Sequence, residues 1–312
     1  MSLLVLLAAG ELLARKVAGL GDPPLYIADP KIEYLNKPGH YDRFHHTIHI
    51  NQWSQRSPDA PEKKADPNEL RVLVIGDSVV YGGARIDDRD TATALLTQSL
   101  ASEEKRPVFV ANISAGSWGP PNQLEYLKRF GTFDADAAIV VWSSHDAWDV
   151  PEFSGLGIEL PQQKPASALW ELIRRYGIPK LFPPPAESPP HTQKQVDEGL
   201  AAAKELLEIL HARGIPTAVV IHRTQDEFKG KDLEGDRLLA AVAKSENLPV
   251  YYTASVLEPA WKAGKPVFFD DIHPSTDGNR LLSGLYTQIV DGLLHPVPAS
   301  PAPAPAPPSQ GH

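Results

Sequence analysis

The chain has 312 residues, 42% of them hydrophobic, enough to bury a sizeable core in one large or two modest domains. It contains no cysteine, so disulfides and thiolate metal sites are excluded. The formal net charge is -9 and no Lys/Arg-rich run stands out. Nucleic acid is therefore not an expected partner, and an anionic membrane surface would repel the molecule as a whole.

In chain order, residues 1–19 open on an apolar run, Ser2 to Gly10, closed by Glu11. The run is shorter than the roughly twenty residues that span a bilayer, and no basic segment precedes it. It reads either as the tail of a signal anchor or as an amphipathic helix whose stripe continues through Leu12, Leu13 and Val17. Membrane association is expected only in the first case. Residues 20–70 are polar, aromatic and proline-broken, with no sustained period, and read as an extended N-terminal arm packed on the main domain.

From 71 to 295 strand-like and helical runs alternate. The predicted strands lie over 71–75, 108–113, 137–142, 217–221 and 250–253, and the helices over 91–102, 122–129, 193–212 and 235–246. The helix from 193 is the clearest: Thr192 and Gln195 form a capping box, and Val196, Leu200, Ala203, Leu207 and Leu210 recur at helical spacing. Gly214 and Pro216 stop it. A last helix carries Leu282, Leu285, Tyr286, Ile289 and Leu293 on one side. This alternation predicts an α/β protein, a three-layer α/β/α sandwich around a parallel five-stranded sheet of the flavodoxin-like kind. Residues 150–191 interrupt it with many prolines, including Pro183-Pro184-Pro185, around a short helix over 167–176. The segment leaves the third strand at the site edge and reads as a lid or wall. The Pro/Ala-rich tail, 296–312, is low-complexity and expected to be disordered.

The chemistry gathers at two places. Val72-Leu73-Val74-Ile75 reads as a buried strand, and Gly76-Asp77-Ser78 follows it, putting a serine at the carboxyl edge of the sheet. Near the other end stands Asp270-Asp271-Ile272-His273-Pro274. His273 is placed to take the serine's proton, with Asp270 orienting the ring and Asp271 as the alternative. Asp77 reads as a loop tie. Taken singly, Ser78 could cap a helix, His273 could serve a turn, and the aspartates could be solvated.

These residues, in this order, resemble the SGNH (GDSL) hydrolase superfamily over about residues 70–293. The resemblance implies a Ser-His-Asp esterase or acyl-transfer site with Ser78 as nucleophile, His273 as general base and Asp270 as its orienter, and no metal or cofactor. It also implies an oxyanion hole made by the Ser78 N–H, a glycine N–H after the second strand, and an asparagine after the third. Gly116 is the first choice for the glycine and Gly119 the second. The asparagine position departs from the family: Ser143-Ser144-His145-Asp146 stands where Gly-x-Asn-Asp is expected. A neutral His145 imidazole would donate one N–H there, or bind substrate, or stack under the 150–191 segment. Asp146 matches a structural aspartate.

Weaker candidates complete the reading. Arg223, after His222, holds an anionic substrate group or a surface salt bridge. His45, His46 and His49 read as packing or surface residues, without the pattern of a metal site. Trp118, Trp142 and Trp148 lie near strand ends and stack on a sugar or pack in the core or lid. The expected activity is hydrolysis of short, acetyl-type acyl esters, with a small-molecule or glycan ester as substrate. The alternatives are an O-acyltransferase with the same triad and a non-catalytic module binding a glycan or partner. The cell envelope, periplasm or exterior is favoured over the cytoplasm as the location.

Overall fold

Leu70, Val72 and Val74 alternate with Leu73 and Ile75 along one strand, and each set enters a different hydrophobic core. A strand apolar on both sides must be covered on both faces. The structure, a computed structural model, describes residues 2–181 and 190–296. Its first part holds the helix α1 (Leu3–Lys16) and the strands β1 (Tyr26–Asp29), β2 (Glu33–Asn36), β3 (Gly39–Arg43) and β4 (His46–Ile50). Then come β5 (Leu70–Gly76), α2 (Ser78–Tyr81), α3 (Ala92–Glu104), β6 (Val108–Ser114), α4 (Pro120–Phe130) and β7 (Ala137–Ser143). After a long excursion containing α5 (Ala168–Leu172) and α6 (Ile178–Leu181) follow α7 (Gln193–Ala212), β8 (Thr217–His222), α8 (Gln225–Phe228) and α9 (Glu234–Ser245). The chain closes with β9 (Val250–Tyr252), α10 (Ala254–Lys262) and α11 (Thr276–Leu294).

Strands β5 to β9 form one parallel sheet in the order β6-β5-β7-β8-β9. α4, α7 and α9 cover one face, and α3, α10 and α11 the other. This is the expected three-layer flavodoxin-like sandwich, and the five predicted strands fall on it within two residues at each end. The register aligns the carboxyl ends: Gly76 pairs with Ser114, and Ser143 with His222. The loops after β5, β6, β7 and β8 therefore all open on one edge, where such sheets place ligands.

The N-terminal 70 residues differ from their sequence reading. Residues 20–70 are not an extended arm: they contain two antiparallel hairpins, β1-β2 and β3-β4. Tyr41 and Arg43 on β3, and Ile48 and Ile50 on β4, alternate inward as half-buried strands do. The β3-β4 connection is Phe44-His45, both at positive φ (54° and 64°), a turn usually marked by Asn-Gly. The β1-β2 turn is closed by Asp29, whose Oδ1 accepts the N–H groups of Lys31 and Ile32. Ile32, Tyr34 and Leu35 then enter the core beside the sheet. On α1, Leu12, Leu13 and Val17 are exposed rather than packed on the domain. Pro183-Pro184-Pro185 and all of the tail beyond Pro296 lie outside the described residues.

Two buried arginines fasten this N-terminal segment to the sheet. Arg71 donates to the carbonyls of Pro61, Glu62, Lys63 and Phe133. Arg56 donates to the carbonyls of Tyr81, Gly83 and Ile86 and to Asp88, so it holds the loop that leaves α2. Arg56→Met strands three carbonyls, two of them buried, and is expected to cost about 3 kcal/mol in urea denaturation.

Candidate active site

Asp77 caps the single turn α2, its Oδ1 accepting the Val79 N–H at 2.8 Å. Gly82, at φ 82°, ends that turn. Gly76 allows the tight exit from β5, since a Cβ there would meet Val80 at 2.6 Å and the Val141 carbonyl at 2.9 Å. Ser78 is thus the first residue of a helix at the sheet edge, half-buried.

The loop 266–275 brings His273 across. Phe269 N–H donates to the His273 carbonyl and Ser275 N–H to the Val267 carbonyl, folding the loop back on itself. His273 Nε2 lies 2.9 Å from Ser78 Oγ, and its Nδ1 lies 2.8 Å from Asp270 Oδ2. Burial works against ionising Asp270. The backbone N–H and ring of His273 and the Ile272 N–H outweigh it and hold the carboxyl below its usual range. Asp271 is exposed, and its carbonyl accepts from the Gln225 N–H. The structure gives its side chain no contact with His273.

His222, at the end of β8, is fully buried with Nε2 2.9 Å from the Ile272 carbonyl. Burial pushes its pKa down, so the ring is neutral and Nε2–H donates. Sequence reading passed over this positioning role. Its only signal is a histidine ending a buried strand at the site edge. His222→Leu is expected to lower kcat by about tenfold with little change in KM, because the His273 loop loses its tether. Activity should return in His222→Gln, which restores an N–H donor.

His145 departs from the neutral donor expected. Burial opposes its charge, but the carboxylates of Asp146 and Asp77 prevail and raise its pKa to about 10. Its Nε2 sits 3.3 Å from Asp77 Oδ2 and 3.7 Å from Asp146 Oδ1. Asp77 Oδ2 also accepts from Ser143 Oγ at 3.1 Å, and Asp146 Oδ2 from the Ser143 N–H at 2.7 Å. Burial and the charge of Asp77 push Asp146 up, whereas Asp77 itself, despite burial, is pulled down by His145. Asp77, His145 and Asp146 bring ligand-type atoms within 4.8 Å of one another, the one such group of three or more among the described residues.

Two cavities meet at Gly116, and one of them contains Ser78. One, of about 310 Å³, is lined by Ser78, Gly116, Tyr26, Tyr81 and Tyr176. The other, of about 800 Å³, shares Gly116 and Glu159 and adds Tyr34, His145, Trp148 and Asp149. Trp148 stacks on His191 at 3.9 Å. Burial raises Asp149 to about 6. Segment 150–191 supplies Glu159, Leu160, Tyr176 and His191 to these walls.

The remaining candidates are structural. Gly119 is not positioned as a second oxyanion donor: its N–H goes to Asn122 Oδ1, and a Cβ there would lie 1.9 Å from the Asp149 carbonyl. Trp118 and Trp142 are fully buried and donate to the Tyr34 carbonyl and Gln123 Oε1. Arg223 pairs with Glu227 and Asp236 and lies over Tyr252, which is the salt-bridge alternative. His46 meets Asp87, His49 stacks on His40 and faces Asp59, and His45 meets the Val17 carbonyl.

No protein-family model matches the chain, and no curated protein matches it. Among solved structures, a two-domain esterase active on acetylated mannans superposes with a TM-score of 0.50 at 14% identity. The match covers 77% of this chain and 54% of that one, so the chain spans about half the length of that esterase. A lipolytic protein of the G-D-S-L family from Veillonella parvula DSM 2008 is similar at 14% identity and TM-score 0.42, over 71% of this chain and 97% of that one. The likeness to that mannan esterase is one of fold. The lipase/acylhydrolase from Enterococcus faecalis is similar at 17% identity and TM-score 0.45, over 74% of this chain and 100% of that one. At these identities the likeness shows a shared fold alone; the chemistry rests on the residues at the sheet edge.

Proposed function

We propose that the protein is a serine esterase that removes short, acetyl-type acyl groups, with a glycan carrying them. The observation that carries this reading is the continuous relay from Ser78 Oγ through His273 to Asp270, at 2.9 and 2.8 Å. Ser78 Oγ attacks the ester carbonyl as His273 Nε2 takes its proton. Asp270 holds the ring in the tautomer whose Nε2 is free to accept and stabilises the imidazolium formed. The tetrahedral oxyanion is received by the Ser78 N–H, which has no acceptor within its own helix, and by the Gly116 N–H. His145 adds positive charge beside it. Collapse breaks the ester C–O bond, and His273 returns the proton to the leaving alcohol. Water, activated by the same histidine, then hydrolyses the acyl-serine to a carboxylic acid and free Ser78.

The cavities support the substrate class. About 310 Å³ beside Ser78 suits a small acyl group rather than a long chain, lying at the low end for ligand pockets. The larger cavity offers Tyr34, the Trp148–His191 stack and Asp149, suited to sugar faces and hydroxyls. An intact relay favours an enzyme over a binding module. The test is acyl selectivity. With 4-nitrophenyl esters, kcat/KM for acetate is expected to exceed that for octanoate by at least about tenfold. Acetate should also be released from acetylated oligosaccharides. A preference for octanoate would overturn the substrate class, and no turnover of any ester would overturn the esterase reading.

A further inference from the structure

The first half of α1 stands off the body. Residues 2–9 are exposed, and Leu3, Leu4, Val5, Leu6 and Leu7 are each between 49% and 78% exposed. Five consecutive residues go right round a helix, since each turns it by about 100°. A protein groove covers one stripe of such a rod, whereas hydrocarbon covers all of it. The root, by contrast, is fixed. Glu11 accepts the N–H groups of Ala168 and Leu169 and the Ser167 hydroxyl, and Ala14 and Leu20 are buried with Ala168. The adjoining segment adds exposed Trp170, Ile173, Ile178 and Leu181.

The charges around this face run against the net -9 of the chain. Arg15 and Lys16 close α1, and Arg174 and Lys180 are exposed on the adjoining segment. The nearby carboxylates are engaged, Glu11 by the start of α5 and by Arg15, and Glu171 by Arg43 at 2.7 Å. The face therefore offers apolar side chains rimmed by cations, the pattern that complements an anionic lipid surface.

We propose that this face docks on a lipid bilayer, the apolar half of α1 entering one leaflet and Lys16, Arg174 and Lys180 meeting anionic headgroups. Among the described residues no helix is long and apolar enough to cross a membrane. The 14 residues of α1 span about 21 Å against a hydrocarbon core of about 30 Å, long enough for the apolar half to enter one leaflet. Arg175 and Tyr176, in the docking segment, also line the Ser78 cavity, so docking sets the cleft beside the membrane surface. The proposal does not depend on the esterase reading.

The test is flotation of the full chain with vesicles of phosphatidylcholine alone or mixed with phosphatidylglycerol. Binding is expected to be about tenfold tighter to the mixed vesicles. The pair Leu4→Asp and Leu7→Asp should weaken binding to both by at least about tenfold. Lys16→Glu with Arg174→Glu and Lys180→Glu should abolish the preference for the mixed vesicles. All five side chains are exposed, so melting temperatures should match the parent. Failure of the parent chain to float, or flotation unaffected by the aspartates, overturns the proposal. So does an oligomer without vesicle binding that the aspartates disperse, which would assign the face to a second copy of the chain.

Discussion

Ser78→Ala is expected to lower kcat on an aryl acetate by about a millionfold, and His273→Ala by a similar factor, because the two act as one unit. Combining them should cost little more than either alone. Asp270→Ala should cost about ten-thousandfold, since it removes the group that sets the histidine tautomer. Asp271→Ala should leave kcat within about threefold, as its side chain stands outside the relay. The Asp270 and Asp271 variants side by side discriminate the two carboxylates that sequence spacing left open. Ser78 Oγ makes its hydrogen bond to His273, so Ser78→Ala should unfold within about 1 kcal/mol of the parent. A large activity loss then reports chemistry, not collapse.

The second large effect is in the charge cluster under the nucleophile. Asp77 is fully buried and tethers Val79 N–H, Ser143 Oγ and the His145 ring. Asp77→Ala leaves a half-exposed imidazolium facing a single carboxylate and frees the start of α2. The expected cost is about 3 kcal/mol in urea denaturation, with a loss of activity because α2 carries Ser78. Stability should also depend on pH through His145. Its pKa is about 10 in the folded protein and about 6.5 when free, so the native state binds this proton more tightly than the unfolded chain. The stabilisation is fully present below about pH 6.5 and is lost as pH rises through about 10. The parent should therefore lose stability between pH 7 and 10 relative to His145→Gln. Parallel curves for the two would show that His145 is not held charged.

The two ends of the site were legible in the sequence for a physical reason. A run buried on both faces, such as Val72 to Ile75, announces a parallel strand, and the polar residues just past it stand at its edge. Asp270 and His273 are close in sequence, so their meeting needs only a tight loop. Longer-range geometry was not legible. The neutral imidazole expected at His145 fails because Asp77 lies 68 positions away in sequence and Asp146 is its own neighbour, and only folding brings the ring against both buried carboxylates. The β3-β4 hairpin was hidden by its turn, since Phe44 and His45 carry no glycine or asparagine to mark a positive φ. Gly119 looked like a free donor until the fold placed Asp149 against it.

The central claim is that Ser78 is an activated nucleophile. Labelling with a fluorophosphonate probe tests it most directly, with the parent chain beside Ser78→Ala and His273→Ala, each verified as folded by its melting temperature. The account predicts covalent labelling of the parent and none of either variant. A folded parent that fails to label, or a Ser78→Ala variant that labels as the parent does, would contradict it.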